Sequence, residues 1–415
     1  MTLSGAQRRA IASWWLYDFA NSSYSAVIVG TIFGVYYARV IVGNQAGLGD
    51  AWWGRVGSVS MLVVALTAPY LGGIADAAGW RKRLWIGYTW TAVLAVAGFT
   101  LLEPGMTLAG FALATLANIG IEGGMVFYNA YLPRVAPLQM QGRVSGWGYA
   151  IGYAGSIVGL LAALPFTSPF RGDAIWLLVA GQLALVSLPA FLLLPADPGR
   201  GLGLRAAARV GFETWRTLMK RLWGRRDARR FLAAYLLYED GVNTVIMFSS
   251  VFAATTLGFR ERELIVLYVV VHISAFAGAA LLARPTDTRG PKLVVALSLA
   301  LWCAVVTAAY FVQTKEQFWA VACVAGLGLG SVQAASRVLY ARFIPPGQEN
   351  QYFGVYAMVG RSAAIAGPIL FGEMSRAFGN QRVAVLSVAI LFLAGLATLM
   401  GVRTEARPAA AATAG

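Results

Sequence analysis

The chain has 415 residues, 58% of them hydrophobic and only 12% charged, with a mean hydropathy of +0.65. Soluble domains run about 45–50% apolar and about 25% charged, so this composition excludes an ordinary water-soluble globule. The formal net charge of +15 sits in alternate loops rather than on one face, which argues against a nucleic-acid partner.

Apolar stretches fall at roughly 12–40, 52–75, 84–102, 107–132, 144–166 and 174–195, then at roughly 229–257, 263–283, 292–312, 316–341, 351–373 and 382–402. A spanning helix needs about 20 mostly apolar residues, so the pattern predicts an all-α membrane protein of twelve transmembrane helices, numbered here as spans 1 to 12. Arg8 and Arg9 precede span 1 as in a signal peptide. That run is long, contains Asp18 and Asn21 and lacks a small-residue cleavage site, so it reads as an uncleaved first helix. A basic linker, residues 196–228, follows Pro195 and separates two six-helix bundles, 1–195 and 229–403, with a flexible tail at 404–415. Within the linker Phe212, Trp215, Met219 and Leu222 recur at steps of three and four among Arg209, Arg216, Lys220 and Arg221. Two readings fit that spacing: an amphipathic helix on the inner membrane surface, and a solvated basic connector.

Loops on one side hold 24 Lys and Arg, including Arg337, and those on the other hold eight. This bias places both termini and the linker in the cytoplasm of a cell membrane, or of a vacuolar membrane in a eukaryote. Cys303 and Cys323 both fall inside apolar runs, and His272 is the single histidine. No disulfide framework, metal centre or other cofactor is expected.

The two halves repeat. Asp18, Asn21 and Ser22 match Asp240, Asn243 and Thr244 at an offset of 222. Asp76, Gly79 and Arg81 match Asp287, Gly290 and Lys292 at 211, and Arg134, Pro137, Gly146, Gly152 and Gly159 match Arg342, Pro345, Gly354, Gly360 and Gly367 at 208. Such repeats place a substrate site near the midplane, between the halves.

The loop after span 2, Gly72-Gly-Ile-Ala-Asp76-Ala-Ala-Gly79-Trp-Arg81-Lys82-Arg83, resembles the signature loop of the major facilitator superfamily. That resemblance implies a gate built on Asp76, Gly79 and Arg81, with Asp287 in a degenerate copy. Leu16-Tyr17-Asp18-Phe19-Ala20-Asn21-Ser22, Val126-Phe127-Tyr128-Asn129-Ala130-Tyr131-Leu132-Pro133, Asp240-Gly-Val-Asn243-Thr244 and Gln333-Ala-Ala-Ser336-Arg337 together are similar to the autophagy-related vacuolar effluxer family, a branch of that superfamily. The family name implies amino-acid efflux, and the fold implies that spans 1, 4, 7 and 10 line the central cavity.

An ionisable group at mid-bilayer costs about 3 kcal/mol or more, so each is a functional candidate. Span 1 offers Tyr17, Asp18, Asn21 and Ser25, span 4 offers Asn118, Glu122 and Asn129, span 7 offers Glu239, Asp240 and Asn243, span 10 offers Gln333, and span 11 offers Arg361. Asp18 and Asp240, being symmetric, fit a bundle-holding role as well as a binding one. Glu122 breaks the symmetry, its mate being Gly330, and with Glu239 and Asp240 it is a candidate proton carrier. Adjacent carboxylates on a helix point about 100° apart, so Glu239 is expected to face a neighbour and Asp240 the cavity. Arg361 is a counter-ion for one of these acids or for an anionic substrate group. The expected function is proton-coupled export of a small polar or zwitterionic, amino-acid-like solute by a monomer in the lipid bilayer. The rival readings are a multidrug/proton antiporter of the same fold and a non-transporting sensor or scaffold. With one histidine and no nucleophile–base arrangement, an enzyme is not expected.

Overall fold

The computed structural model describes residues 3–43, 48–167, 170–197, 202–363, 366–378 and 381–403, and the expected tail at 404–415 lies outside them. Among the described residues every named element is helical. The first helix, α1 (Gly5–Val42), starts on a capping box in which Ser4 Oγ accepts from Gln7 N–H and the Gln7 side chain accepts from Ser4 N–H. It widens into π-type turns at Tyr24–Val29 and Tyr37–Val42. Then come α2 (Leu48–Ala78), α3 (Arg81–Ala97), α4 (Thr107–Ala130), α5 (Gln141–Ala163) and α6 (Gly172–Leu193). The linker forms α7 (Leu204–Gly224). Beyond it lie α8 (Arg226–Leu257), α9 (Glu261–Thr288), α10 (Pro291–Phe311), α11 (Lys315–Ala341), α12 (Glu349–Ser362), α13 (Ala366–Phe378), α14 (Gln381–Ser387) and α15 (Ala389–Met400).

Among the described residues, ten segments are long and apolar enough to cross a membrane. Leu192, Leu66 and Leu281 are 70–77% exposed while Asp18, Asp240 and Arg337 are buried, an inside-out distribution that fits lipid around the bundle. The chain is an integral, multi-pass membrane protein. Expected spans 7 and 11 are not among the ten. The first coincides with α8, whose 32 residues are diluted by Glu239, Asp240 and Asn243. The second is split between α12 and α13.

Internal symmetry recurs in the packing. The halves meet chiefly where α2 lies along α12 and where α5 lies along α9. A Cβ placed on Gly146 of α5 would stand 2.7 Å from the Ala279 carbonyl, and one on Gly354 of α12 would stand 2.5 Å from that of Ala68. Both residues of the second pair are repeat mates of the first, at offsets of 208 and 211. Small residues are what allow membrane helices to approach so closely. Gly79 and Gly290, also repeat mates, end α2 and α9 with φ of +73° and +92°, a backbone conformation that a Cβ disfavours.

Helix α7 rests on α2, where Tyr70 Oη donates to the Ala208 carbonyl at 3.3 Å and Gly73 faces Gly211. Its other end, through Leu218 and Leu222, joins the core of the C-terminal half. The apolar positions of the linker are thus divided between the two bundles, with Phe212 left 54% exposed.

A Cβ on Gly330 of α11 would fall 1.9 Å from the Ala275 carbonyl of α9, whereas nothing lies within 4 Å of one on Gly181. Gly330→Ala is expected to cost about 1–3 kcal/mol by overpacking and to lower the thermal unfolding midpoint in detergent, with Gly181→Ala neutral or stabilising. Equal midpoints would refute this packing.

Candidate functional site

The first turn of a helix presents backbone N–H groups without internal partners, and their combined dipole favours an anion. At the end of α2, Asp76 accepts from Asn350 N–H at 3.2 Å, Asn350 Nδ2 at 2.6 Å and Gln351 N–H at 2.9 Å, all in the first turn of α12. At the end of α9, Asp287 accepts from Gly142 N–H at 2.6 Å and from Arg143 N–H and Nε at 3.0 Å, in the first turn of α5. Gly142 and Arg143 are the repeat mates of Asn350 and Gln351. Each half therefore sets a carboxylate on a helix N-terminus of the other, on the side that carries the basic loops.

Fully buried Arg81 lies 3.5 Å from Asp76, 3.4 Å from Asp197 and 3.3 Å from Glu349, over the ring of Tyr131. Arg134 pairs with Asp197 and reaches Glu349 at 3.7 Å. Sequence reasoning found Asp76, Gly79, Arg81 and Asp287. It missed Arg134, Asp197 and Glu349, which local patterning scatters over a loop, the linker and a helix start.

Arg337 corrects the loop count: it is not a loop charge but a fully buried residue of α11. It crosses into the other half, where its Nε donates to Ser145 Oγ at 2.9 Å, Nη2 to the Ser145 carbonyl at 3.0 Å and Nη1 to Asn129 Oδ1 at 3.1 Å. Rings of Trp14, Tyr128 and Tyr149 surround the guanidinium at 4.3–5.6 Å, a favourable placement for a desolvated cation. Asn129 and Arg337 are repeat mates at 208, so their bond straddles the pseudo-two-fold axis. Gly148 leaves the gap between Arg337 and Asp18: its Cβ would stand 3.2 Å from Arg337 Nη2 and 3.4 Å from Asp18 Oδ2. Asp18 accepts from Tyr128 Oη at 2.8 Å.

A charged cluster also lies between the halves. Glu122 of α4 pairs with Arg361 of α12. Half-buried Glu239 of α8 makes no hydrogen bond or ion pair among the described residues, and Arg361 is the cation acting on it through space. Tyr149 and Tyr153 of α5 complete the cluster electrostatically, and Tyr153 Oη donates to Gln333 Oε1 at 2.8 Å across the halves. His272 stacks on Tyr268 and meets the edge of Tyr153.

Other expected site residues are occupied elsewhere. Tyr17 is a correction: it is buried inside the N-terminal half, its hydroxyl 2.9 Å from Thr89 Oγ1 and its ring against Trp85 and Tyr128, out of a solute's reach. Asn118 accepts from Tyr24 Oη at 2.7 Å, and Asn21 turns its Nδ2 toward Met125 Sδ at 3.5 Å. Asp240 Oδ2 accepts from Gly367 N–H at 2.8 Å and Asn243 Nδ2 donates to the Ala363 carbonyl. Both therefore serve backbone groups at the end of α12 and in the first turn of α13. This reverses the expected facing of the adjacent acids, for Asp240 turns to a neighbouring helix. Ser25 is exposed.

Comparison with known proteins follows this geometry. The family model described as vacuole effluxer Atg22 like matches residues 55–411. The uncharacterized MFS-type transporter YxiO of Bacillus subtilis is 28% identical over 405 residues, 95% of this chain and 94% of its own length. Autophagy-related protein 22-1 of Penicillium rubens is 22% identical over 83% of this chain and 73% of its own. Among solved structures, the human organic anion transporter MFSD10 (TETRAN) superposes with a TM-score of 0.75 at 15% identity, covering 95% of this chain and 99% of its own. The proton:xylose symporter XylE gives 0.73 at 13% identity, covering 95% of each chain. These likenesses show the major facilitator fold.

Replacing Asp76 and Asp287 together by Asn keeps shape but removes the charge from both helix-end contacts. The closure is expected to loosen by about 1–2 kcal/mol, a factor of about 5–30. Labelling of Gln333→Cys from the basic-loop side, in a Cys303→Ser/Cys323→Ser background, should accelerate by that factor. Unchanged labelling would show that the contacts do not hold the halves together.

Proposed function

The chain belongs to the vacuole effluxer Atg22 like family of major facilitator transporters, and we propose that it exports a small polar or zwitterionic, amino-acid-like solute by proton-coupled alternating access. The observation that carries this reading is the Glu122–Arg361 ion pair between the halves, with unpaired Glu239 within range of the same arginine. Guanidinium binds carboxylates in a planar, bidentate fashion. A solute carboxylate therefore competes with Glu122 for Arg361, and its ammonium group finds Glu239. A proton on Glu122 removes that competition, so proton and solute occupancy are linked through one arginine. Gln333, Tyr149 and Tyr153 supply neutral hydrogen-bonding groups around the pair.

In this reading 1–195 and 229–403 rock as two bundles of six spans each, with α8 and the α12–α13 pair completing the twelve. Termini and linker are cytoplasmic, in keeping with the bias of basic loop residues, 23 to eight once buried Arg337 is set aside, and Asp76, Arg81, Asp287 and Arg337 form the cytoplasmic gate. Asp240 and Asn243 satisfy backbone groups at the interruption of span 11, as hydrocarbon requires. Glu122 and Glu239 then carry the protons.

Proteoliposomes with an imposed pH gradient and a panel of common amino acids test this reading. At least one solute should move with the gradient. Glu122→Gln should abolish gradient-driven movement while sparing solute counterflow, and Arg361→Lys should weaken apparent affinity about tenfold or more, the scale of a charge-assisted bond at about 1.5–3 kcal/mol. Flat uptake across the panel would remove the zwitterion assignment. Full gradient-driven activity in Glu122→Gln and Glu239→Gln alike would remove the proton assignment.

A further inference from the structure

A polar cavity of about 360 Å³ lies between linker helix α7 and the gate, and none of Glu122, Glu239 or Arg361 lines it. One wall is a single face of α7 bearing Glu213, Thr214, Thr217 and Arg221, and the other holds Asp76 and Gln351. Successive positions three or four apart on a helix share a face, which explains why these four polar side chains converge.

Three features mark it as built for a solute. Gln351 is only 3% exposed, yet its Oε1 has no hydrogen-bond partner among the described residues, and buried carbonyl oxygens are ordinarily satisfied. Asp76 accepts from Asn350 and Gln351 and, as a carboxylate, has no donor to give that oxygen. Thr214 and Thr217 donate their hydroxyls to α7 carbonyls, which leaves their oxygens as further acceptors. The wall thus presents acceptors that a bound donor would satisfy. Glu213, exposed and paired with Arg209, adds negative charge to the same wall, and exposed Arg221 supplies a cation two turns along.

We propose that this cavity binds a small zwitterionic solute of amino-acid size. Its ammonium group meets Gln351 Oε1 and Glu213, and its carboxylate meets Arg221. Its walls belong to α2, α7 and α12, which must separate when the closure opens, so occupancy holds the closure shut. The site is independent of the solute carried by the Glu122–Arg361 cluster.

The test uses the full-length chain in detergent with Arg361→Met, which disables the central site, and the same amino-acid panel as probe. At least one panel member should raise the unfolding midpoint of Arg361→Met by a few degrees and slow labelling of Gln333→Cys severalfold. Both effects should vanish on adding Thr217→Trp, which fills the cavity mouth, or Arg221→Ala, which removes the anion pole without adding bulk. No shift with any panel member in Arg361→Met, or a shift that survives both second substitutions, overturns the proposal. A shift present in the wild type and absent in Arg361→Met belongs to the central site and likewise counts against this one.

Discussion

A carboxylate placed on the N-terminus of a helix in the opposite half is the contact on which the arrangement of this protein depends. Both partners are groups that water also satisfies well. The first-turn amides of α5 and α12 need acceptors, and Asp76 and Asp287 need donors, so the bonds form when the halves meet and are exchanged for hydration when they part. In the proposed alternating-access reading, that near-balance suits a closure that must break repeatedly, where a large apolar seal would be too stable. Because the contact is made twice, by repeat-related residues, neither half is held by one corner alone. The close helix packing at Gly146 and Gly354 follows from the same registration.

Asymmetry concentrates where chemistry is proposed. The mate of Glu122 is Gly330, which faces the backbone of α9, and the mate of Arg361 is Tyr153. One half thus supplies an acid and the other its guanidinium. Arg337 and its mate Asn129 show the same division on the pseudo-two-fold axis, with a buried cation on one side and neutral acceptors on the other. An isolated buried charge would be prohibitive in hydrocarbon. Here the aromatic rings of Trp14, Tyr128 and Tyr149 and the oxygens of Ser145 and Asn129 replace its hydration.

Interrupted span 11 has a comparable logic. Backbone groups at the end of α12 and in the first turn of α13 cannot be left bare in lipid, and Asn243 and Asp240 of α8 reach the Ala363 carbonyl and the Gly367 N–H. Polar residues that look like substrate ligands on a helical wheel are thereby consumed by backbone satisfaction. Glu239, one position away, stays available.

Much of this was determined by the amino-acid sequence alone. Long apolar runs require a multi-pass helical bundle, because only internally bonded helices of that length satisfy their backbone in hydrocarbon. The loop at Asp76, its copy at Asp287 and the drifting offsets declare two related halves. What the tertiary structure decided was which polar groups meet. Arg337 sits four residues from a helix end and reads as a loop charge until the other half folds over it, and Asp197 and Glu349 become partners of Arg81 only through contacts far apart in the chain. Spacing along a helix reports direction to within one face, whereas a hydrogen bond requires two atoms within about 3 Å, and that separation is settled only when helices from different parts of the chain pack.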